Sequence, residues 1–482
     1  MSFSRILGLA LAALLAFALP SAASAAEPVP PVVMGHATAY VAAVNADGGA
    51  AAEAFHREHS TKVIVEAIPI AAVTGYFANQ HRVLGGVELI EVRMTDPVTA
   101  VALLRGKLYG ALIGVTMNLD LNDGLKVIEF DPGPAPDWAP PAGAALSSAQ
   151  VGAEARALAA KGCGANVFSG AFLVAKGHDV LATGACGQAN RRYGVENTID
   201  TRINLGSMDK MFTAVSVMQL VEAGRIGLDD PLSRYLDDSW LPKEVSDRIT
   251  IRHLLTHTSG LDSFLNAEFR QSSPTRFRKL ADYKPLIHDE KPSFEPGEGY
   301  QYSNTGMLLL GAVIEAVSGE DYYDYVQRHI FRPLGMNDTG AWSMEDPVPN
   351  VAVGYFVDAS APLGWRENTL RYLYRGVPAG GGYSTVGDIH RFAMGLLDDR
   401  LISRASRDYL WTRNLPNEYG AGFMITGSGA GRIVGHEGSY LGVSSQLEIY
   451  VDKGYVVVLL GNQDWAAPGL GDAIRGLVTV AL

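Results

Sequence analysis

The chain has 482 residues, 48% of them hydrophobic and 19% charged, an ordinary globular composition over a length that exceeds one typical domain. Its 39 basic against 51 acidic residues leave a formal charge of −12, so it has no electrostatic reason to bind nucleic acid or anionic lipid. With only two cysteines, the fold must rest on its apolar core.

Residues 1–25 read as a secretory signal: Arg5 supplies the positive start, residues 6–19 an apolar core, and Ala23-Ser24-Ala25 a small-residue cleavage site. The apolar run is shorter than the roughly 20 residues a spanning helix needs, and no cysteine follows the small residues to carry a lipid. The expected location is secreted or periplasmic, without stable membrane insertion. Residues 31–130 are expected to form a small α+β accessory domain, with helical spacing over 38–59 and strand-like runs over 82–94, 98–105 and 109–119. A cystatin-like or nuclear-transport-factor-like shape is the expectation. His56 and His59 lack the H-E-x-x-H order of a metal motif and are expected on a polar helix face. No catalytic constellation occurs in this region, which predicts an accessory or dimerising role.

Residues 131–145, rich in proline, are expected to be an extended linker. Beyond it, residues 146–482 alternate helix and strand patterns: a helix over 149–160, a hairpin of 167–176 and 180–187, a helix over 211–221, and strands over 436–441, 446–449 and 456–460. The hairpin is flanked by Cys163 and Cys186 and could bring their sulfurs together; the sequence leaves bonded and free thiols equally open.

Three short motifs carry the chemistry. In Ser207-Met208-Asp209-Lys210, positions i and i+3 share a helical face, so the lysine can reach the serine hydroxyl. A buried lysine that loses its charge can take that proton and activate the nucleophile without a histidine. Alone the pattern is weak, since serine is also a favoured helix cap. The second, Tyr302-Ser303-Asn304, lies where a Pro/Gly loop meets an apolar helical run, and Asn304 could also cap that helix. The third, His436-Glu437-Gly438-Ser439, opens an apolar alternating run, and Gly438 would let a substrate approach the strand backbone. His253 and His257 are spaced i, i+4 but lack a third ligand nearby, and no G-x-S-x-G nucleophile elbow occurs.

S-x-x-K, then Y-x-N, then H-x-G resembles the serine β-lactamase and penicillin-binding-protein superfamily in its class C-like branch. Further landmarks are Phe168-Ser169-Gly170, Leu228-Asp229-Asp230-Pro231-Leu232, His253-Leu254-Leu255-Thr256-His257-Thr258-Ser259-Gly260-Leu261 and Gly380-Gly381-Gly382-Tyr383-Ser384-Thr385. The resemblance implies an α/β (α+β) fold, an antiparallel sheet flanked by helices with a helical subdomain. It also implies a metal-independent, cofactor-free serine hydrolase acting through an acyl-enzyme. Ser207 is then the nucleophile, Lys210 and Tyr302 move protons, Asn304, His436, Gly438 and Ser439 meet the substrate, and the Ser207 and Ser439 amides form the oxyanion hole. His436 stands where the family's K-T-G has lysine, which favours a small-molecule ester or D-peptide substrate over a β-lactam. β-Lactamase or penicillin-binding DD-peptidase activity and a non-catalytic cell-wall peptide binder are the alternatives. Asp209 replaces the commoner threonine or asparagine and, as an i+1 neighbour, is expected to have little direct effect on Lys210. The stretch containing His253 and His257 is expected to be structural, and loops 262–295 and 339–375 to set specificity.

Overall fold

The computed structural model describes residues 28–134, 145–358, 360–415 and 417–482. The expected signal lies outside the described residues, as does most of the proline-rich stretch. The chain divides into two compact units. One is built from residues up to Ala145 with Ala160–Val167 and Asp472–Val480, the other from Leu146–Ala159, Phe168–Gly471 and Ala481–Leu482.

In the first unit four helices, Pro31–Asn45, Gly49–His59, Lys62–Ala67 and Ile70–Leu84, precede a four-stranded antiparallel sheet whose order follows the chain: Val87–Asp96, Thr99–Gly106, Leu112–Asp120 and Lys126–Pro134. The helix expected over 38–59 is two helices. Asp47 and Gly48 turn the chain with φ of 56° and 78°, and a Cβ on Gly48 would stand 2.7 Å from the Thr74 carbonyl oxygen. The strand expected from 82 starts instead at Val87. Arg82 belongs to the helix Ile70–Leu84, whose buried Val73, Phe77, Gln80 and Leu84 recur at helical spacing before Gly85 closes it in the left-handed region. Residues 131–134, expected as linker, end the last strand. Val115 pairs with Pro132 and Ile113 with Pro134, on an edge strand where proline is tolerated.

The two histidines expected on a polar face are also placed differently. Ala52, Phe55 and His56 form the inward stripe of Gly49–His59, and the buried His56 has its Nε2 3.2 Å from the Ile68 carbonyl oxygen. His59 Nδ1 lies 2.9 Å from His36 Nδ1, and His36 Nε2 2.9 Å from the Leu125 carbonyl oxygen.

The second unit is built on a six-stranded antiparallel sheet. Its order is Met424–Thr426, Ile433–Tyr440, Val443–Tyr450, Tyr455–Gly461, Gly170–Lys176 and Asp179–Cys186. The inner strand Tyr455–Gly461 is buried at every position, as a strand covered on both faces must be. Helix Val386–Leu397 packs on Tyr455–Gly461 and Gly170–Lys176, while Asp209–Glu222 and Asn304–Ser318 pack on one another. Asp209–Glu222 is buried from Asp209 to Met218, which marks a central core helix. The fold is therefore mixed α/β with an antiparallel sheet. Both cysteines are disulfide-bonded. Among the described residues no helix is long and apolar enough to cross a membrane.

Candidate active site

Ser207 sits in a single 3-10 turn, Gly206–Met208, that leads into Asp209–Glu222. The chain enters this turn from the short strand Ile203–Asn204, which pairs with Tyr383–Ser384. Asn204 braces both sides: its Oδ1 accepts the Gly206 N–H at 2.9 Å and its Nδ2 donates to the Gly381 carbonyl at 3.0 Å. Gly206 has φ 53°, and a Cβ there would lie 2.9 Å from Gly438 Cα and 3.1 Å from the Ser439 nitrogen. A Cβ on Gly438 would meet the Leu205 carbonyl oxygen at 1.8 Å. Two glycines thus let the turn lie directly against the strand Ile433–Tyr440. There the strand's outer side is open, because Met424–Thr426 pairs only as far as Gly435.

Lys210 follows in the first turn of the helix with its side chain buried. Its Nζ is 3.2 Å from Ser207 Oγ, 2.8 Å from Asn304 Oδ1, 2.6 Å from the Ala379 carbonyl oxygen and 4.7 Å from the centre of the Tyr302 ring. These partners are all uncharged. The hydrogen bond to Ser207 Oγ makes Lys210 the candidate partner for the serine proton.

Asn304 begins the helix Asn304–Ser318, but it is not the cap. Ser303 takes that role, its Oγ accepting the Gly306 N–H at 2.8 Å. The Asn304 side chain is thereby released to bridge Lys210 and Ser263, donating from Nδ2 to Ser263 Oγ at 3.0 Å.

Behind Tyr302 stands His257, its ring 4.4 Å away. His257 Nδ1 accepts the Ser303 N–H at 3.1 Å and its carbonyl accepts the Gln301 N–H at 2.9 Å, so it grips the backbone on both sides of the tyrosine. It does so from a positive φ of 58°, a conformation that side-chain-bearing residues rarely adopt. His253 has an ordinary structural role: it closes a reciprocal capping box with Thr250. Of the two histidines expected to be structural, one therefore lies against the site.

His436 is buried in the strand Ile433–Tyr440. Its Nδ1 is 2.6 Å from the Glu437 carbonyl oxygen, and its Nε2 is 3.1 Å from the Tyr419 hydroxyl. A carbonyl can only accept, so Nδ1 carries the proton and Nε2 takes the Tyr419 O–H. Burial, and after it the nearby Lys210 charge, push the imidazole pKa down to about 3. Ser439 is exposed on the same strand. The sequence-based candidates Ser207, Lys210, Tyr302 and Asn304 are thus brought together, with His436, Gly438 and Ser439 on the adjoining strand.

Asp209 points elsewhere. Its Oδ2 accepts the Gly382 N–H at 2.5 Å, and burial raises its pKa to about 7 against the lowering effects of that bond and, least, of Lys210. The sequence did not single out Ala379, His257, Ser263 or Tyr419 as site residues. Two of them had a visible signal: Ala379 precedes Gly380-Gly381-Gly382, and Tyr419 opens Tyr419-Gly420-Ala421-Gly422-Phe423. Such glycine clusters mark close backbone approach.

A hydroxyl, a buried amine with neutral partners, a phenol and an open strand edge suit acyl transfer. Among the described residues no group of three or more metal-ligating side chains occurs. The family description Beta-lactamase matches residues 155–479. Penicillin-binding protein 4* of Bacillus subtilis (strain 168) is 32% identical over 314 residues, 62% of this chain and 68% of the relative. A solved penicillin binding protein from Bacillus halodurans is 30% identical at a TM-score of 0.60, over 64% of this chain and 97% of that one. A D-stereospecific amidohydrolase from Streptomyces sp. is 27% identical at a TM-score of 0.52, over 63% and 92%. The glycine-packed serine turn, its buried lysine and the antiparallel sheet behind them therefore belong to a chain of the beta-lactamase family, the serine hydrolases of β-lactamase and transpeptidase-like fold.

Proposed function

We propose that this protein is an exported serine hydrolase that cleaves an ester or amide of a small molecule or D-peptide through an acyl-enzyme on Ser207. The observation that carries this reading is Lys210 Nζ at 3.2 Å from Ser207 Oγ with two further neutral acceptors. A neutral amine keeps its two hydrogens on Asn304 Oδ1 and the Ala379 carbonyl and turns its lone pair to the serine O–H. Ser207 Oγ then bonds to the substrate carbonyl carbon as its proton passes to Lys210. The oxyanion is held by the Ser207 and Ser439 amides, which the paired glycines bring to neighbouring segments. Collapse breaks the bond to the leaving alcohol or amine, which takes a proton by way of Tyr302, and water releases the acyl group by the reverse path.

The D-stereospecific amidohydrolase among the similar structures supports the peptide side of this reading. Substrate choice is assigned to the loops around the site. Ser263 in one holds Asn304, and the other lines a cavity of about 170 Å³ with Trp342, Met344, Tyr372 and Leu373, reaching Gly381. Export rests on the leader read in residues 1–25. The relatives named penicillin-binding proteins favour a second reading, acylation by penicillin. Intact mass after incubation with a fluorophosphonate, and separately with penicillin, beside Ser207→Ala, tests both. A Ser207-dependent gain with fluorophosphonate alone supports the esterase or peptidase, and a gain with both supports the second reading. With neither reagent adding mass, the hydrolase reading fails and a non-catalytic binder stands.

A further inference from the structure

The Ala379 carbonyl that holds Lys210 lies on a stretch with few side chains of its own. Val377 and Gly380 exchange two hydrogen bonds of 2.8 Å, so Pro378 and Ala379 form the tip of a tight turn, and Gly380, Gly381 and Gly382 form its outgoing leg. Glycine is required along that leg. Gly380 and Gly381 have φ of 151° and 98°, and Cβ atoms on Gly380 and Gly382 would stand 2.6 Å from the Gly206 carbonyl oxygen and 2.7 Å from Asp209 Oδ2. A leg with no side chains to pack is placed by its hydrogen bonds.

Those bonds come from two sources. On the side of the serine turn, the Leu205 N–H donates to the Gly382 carbonyl at 2.8 Å, Asn204 Nδ2 to the Gly381 carbonyl at 3.0 Å, and the Gly381 N–H to the Gly206 carbonyl at 3.1 Å. The nucleophile helix supplies three more. Thr213 Oγ1 donates to the Pro378 carbonyl at 2.8 Å, Lys210 Nζ to the Ala379 carbonyl at 2.6 Å, and Asp209 Oδ2 accepts the Gly382 N–H at 2.5 Å. Thr213 and Asp209 thus tie the turn to the helix on either side of the bond that Lys210 makes. Among the described residues Asp209 is the one side chain that accepts from this segment, since Thr213, Lys210 and Asn204 act there as donors to carbonyls. Gly382 is buried, and a buried N–H left without an acceptor is costly enough to displace a leg that nothing else packs. The Asp209 carboxyl also borders a cavity of about 20 Å³ beside the apolar Phe212, Val326, Phe331 and Ala341, where an apolar side chain of similar size would be accommodated.

We infer that Asp209 is a positioning residue for Lys210. By accepting the Gly382 N–H it fixes the leg of the turn whose tip carries the Ala379 carbonyl, and so fixes the direction from which the amine meets Ser207. This rests on Ser207 as the nucleophile and Lys210 as its base. Asp209 acts through the backbone of the turn, so an uncharged acceptor of the same shape serves as well.

The test compares two variants of the full chain: Asp209→Asn, which keeps an acceptor, and Asp209→Leu, which removes it at similar volume. With a fluorophosphonate, the maximal capture rate of Asp209→Leu should fall about tenfold or more, the worth of one aligned hydrogen bond. The concentration giving half that rate should not change, and Asp209→Asn should retain most of the rate. Backbone hydrogen exchange at Gly382 should quicken in Asp209→Leu and not in Asp209→Asn. Capture by Asp209→Leu at the wild-type rate, or an equal loss in both variants, would overturn the inference. So would a half-maximal concentration that rises as far as the rate falls, the mark of a site disrupted as a whole. If Asp209→Leu does not fold, Asp209→Ala takes its place with the same expectations. Should wild type take up no fluorophosphonate, the nucleophile reading fails by itself, while hydrogen exchange at Gly382 still decides whether Asp209 holds the turn.

Discussion

The two units each bury a cluster of tyrosines and histidines, and they use it differently. In the first, Tyr40 and Tyr76 share a hydrogen bond of 2.8 Å, His36 Nδ1 meets His59 Nδ1, and the Nε2 atoms of His36 and His56 reach the backbone carbonyls of Leu125 and Ile68. In the second, Tyr302, His257, Tyr419 and His436 surround a half-exposed serine and a buried lysine. The residue types are nearly the same. Buried imidazoles and phenols are a way of satisfying polar atoms in a core; what makes the second cluster a candidate site is that it lies beside an accessible nucleophile and its base, with the Tyr302 ring centre 4.7 Å from Lys210 Nζ.

That contrast can be broken most directly at the serine. Ser207→Ala should lower hydrolysis by about 10⁴-fold or more while leaving the thermal transition in place, since the nucleophile carries the chemistry and little of the packing. Hydrolysis at the wild-type rate in that variant would put the second cluster on the same footing as the first. Lys210→Ala should cost about 10³-fold, within the range of general base catalysis, measured as the rate of fluorophosphonate capture as well as turnover.

Gly438→Ala sharpens the comparison at the backbone. Its Cβ would collide with the Leu205 carbonyl and push the strand from the serine turn. Activity should fall by about 10²-fold, the effect of losing one oxyanion donor, and the protein should also melt earlier.

Asp209→Asn tests a buried carboxyl beside the site through stability. The folded pKa of about 7 lies above the ordinary carboxylate value, so the folded state binds the proton more tightly than the unfolded chain does. The stability this proton contributes is complete below about 4 and is lost as pH rises through about 7. Asparagine does not titrate and keeps an acceptor for the Gly382 N–H, so the melting temperature of the variant should gain on wild type as pH rises through that window. A difference that stays constant with pH would mean that the carboxyl is not held protonated. The smallest effect is expected in the first unit: His59→Ala should leave turnover unchanged and cost about 1 kcal/mol of stability, the worth of one hydrogen bond.

The second unit was the more legible in the sequence, and particular residues show why. Ser207, Lys210, Tyr302 and Asn304 lie at chain-local turns whose motifs encode their own geometry, and the hairpin of 170–176 and 179–186 follows from a short apolar run that ends at Gly177, whose φ of 57° suits a tight turn. Ala379 and Tyr419 were not legible as site residues, because their partners are Lys210 and His436 and such pairings are set by tertiary packing. The cap on Asn304–Ser318 went to Ser303 for a local reason: an extended residue just before the first helical turn can aim its oxygen at the N–H three residues on. In the first unit, helix and strand patterns blur where Ile70–Leu84 runs into Val87–Asp96 across only Gly85 and Gly86, which is why the apolar pattern places the strand start at Arg82, five residues early.

The prolines that ended the first unit's sheet have a consequence for how the protein keeps company with itself. An open strand invites a neighbouring chain to add another, and aggregation grows by that addition. In the edge strand Lys126–Pro134, two of the last four positions, Pro132 and Pro134, have no N–H to offer. A stray strand arriving there finds half of a ladder, so what read as linker in the sequence works as a stop against runaway sheet growth.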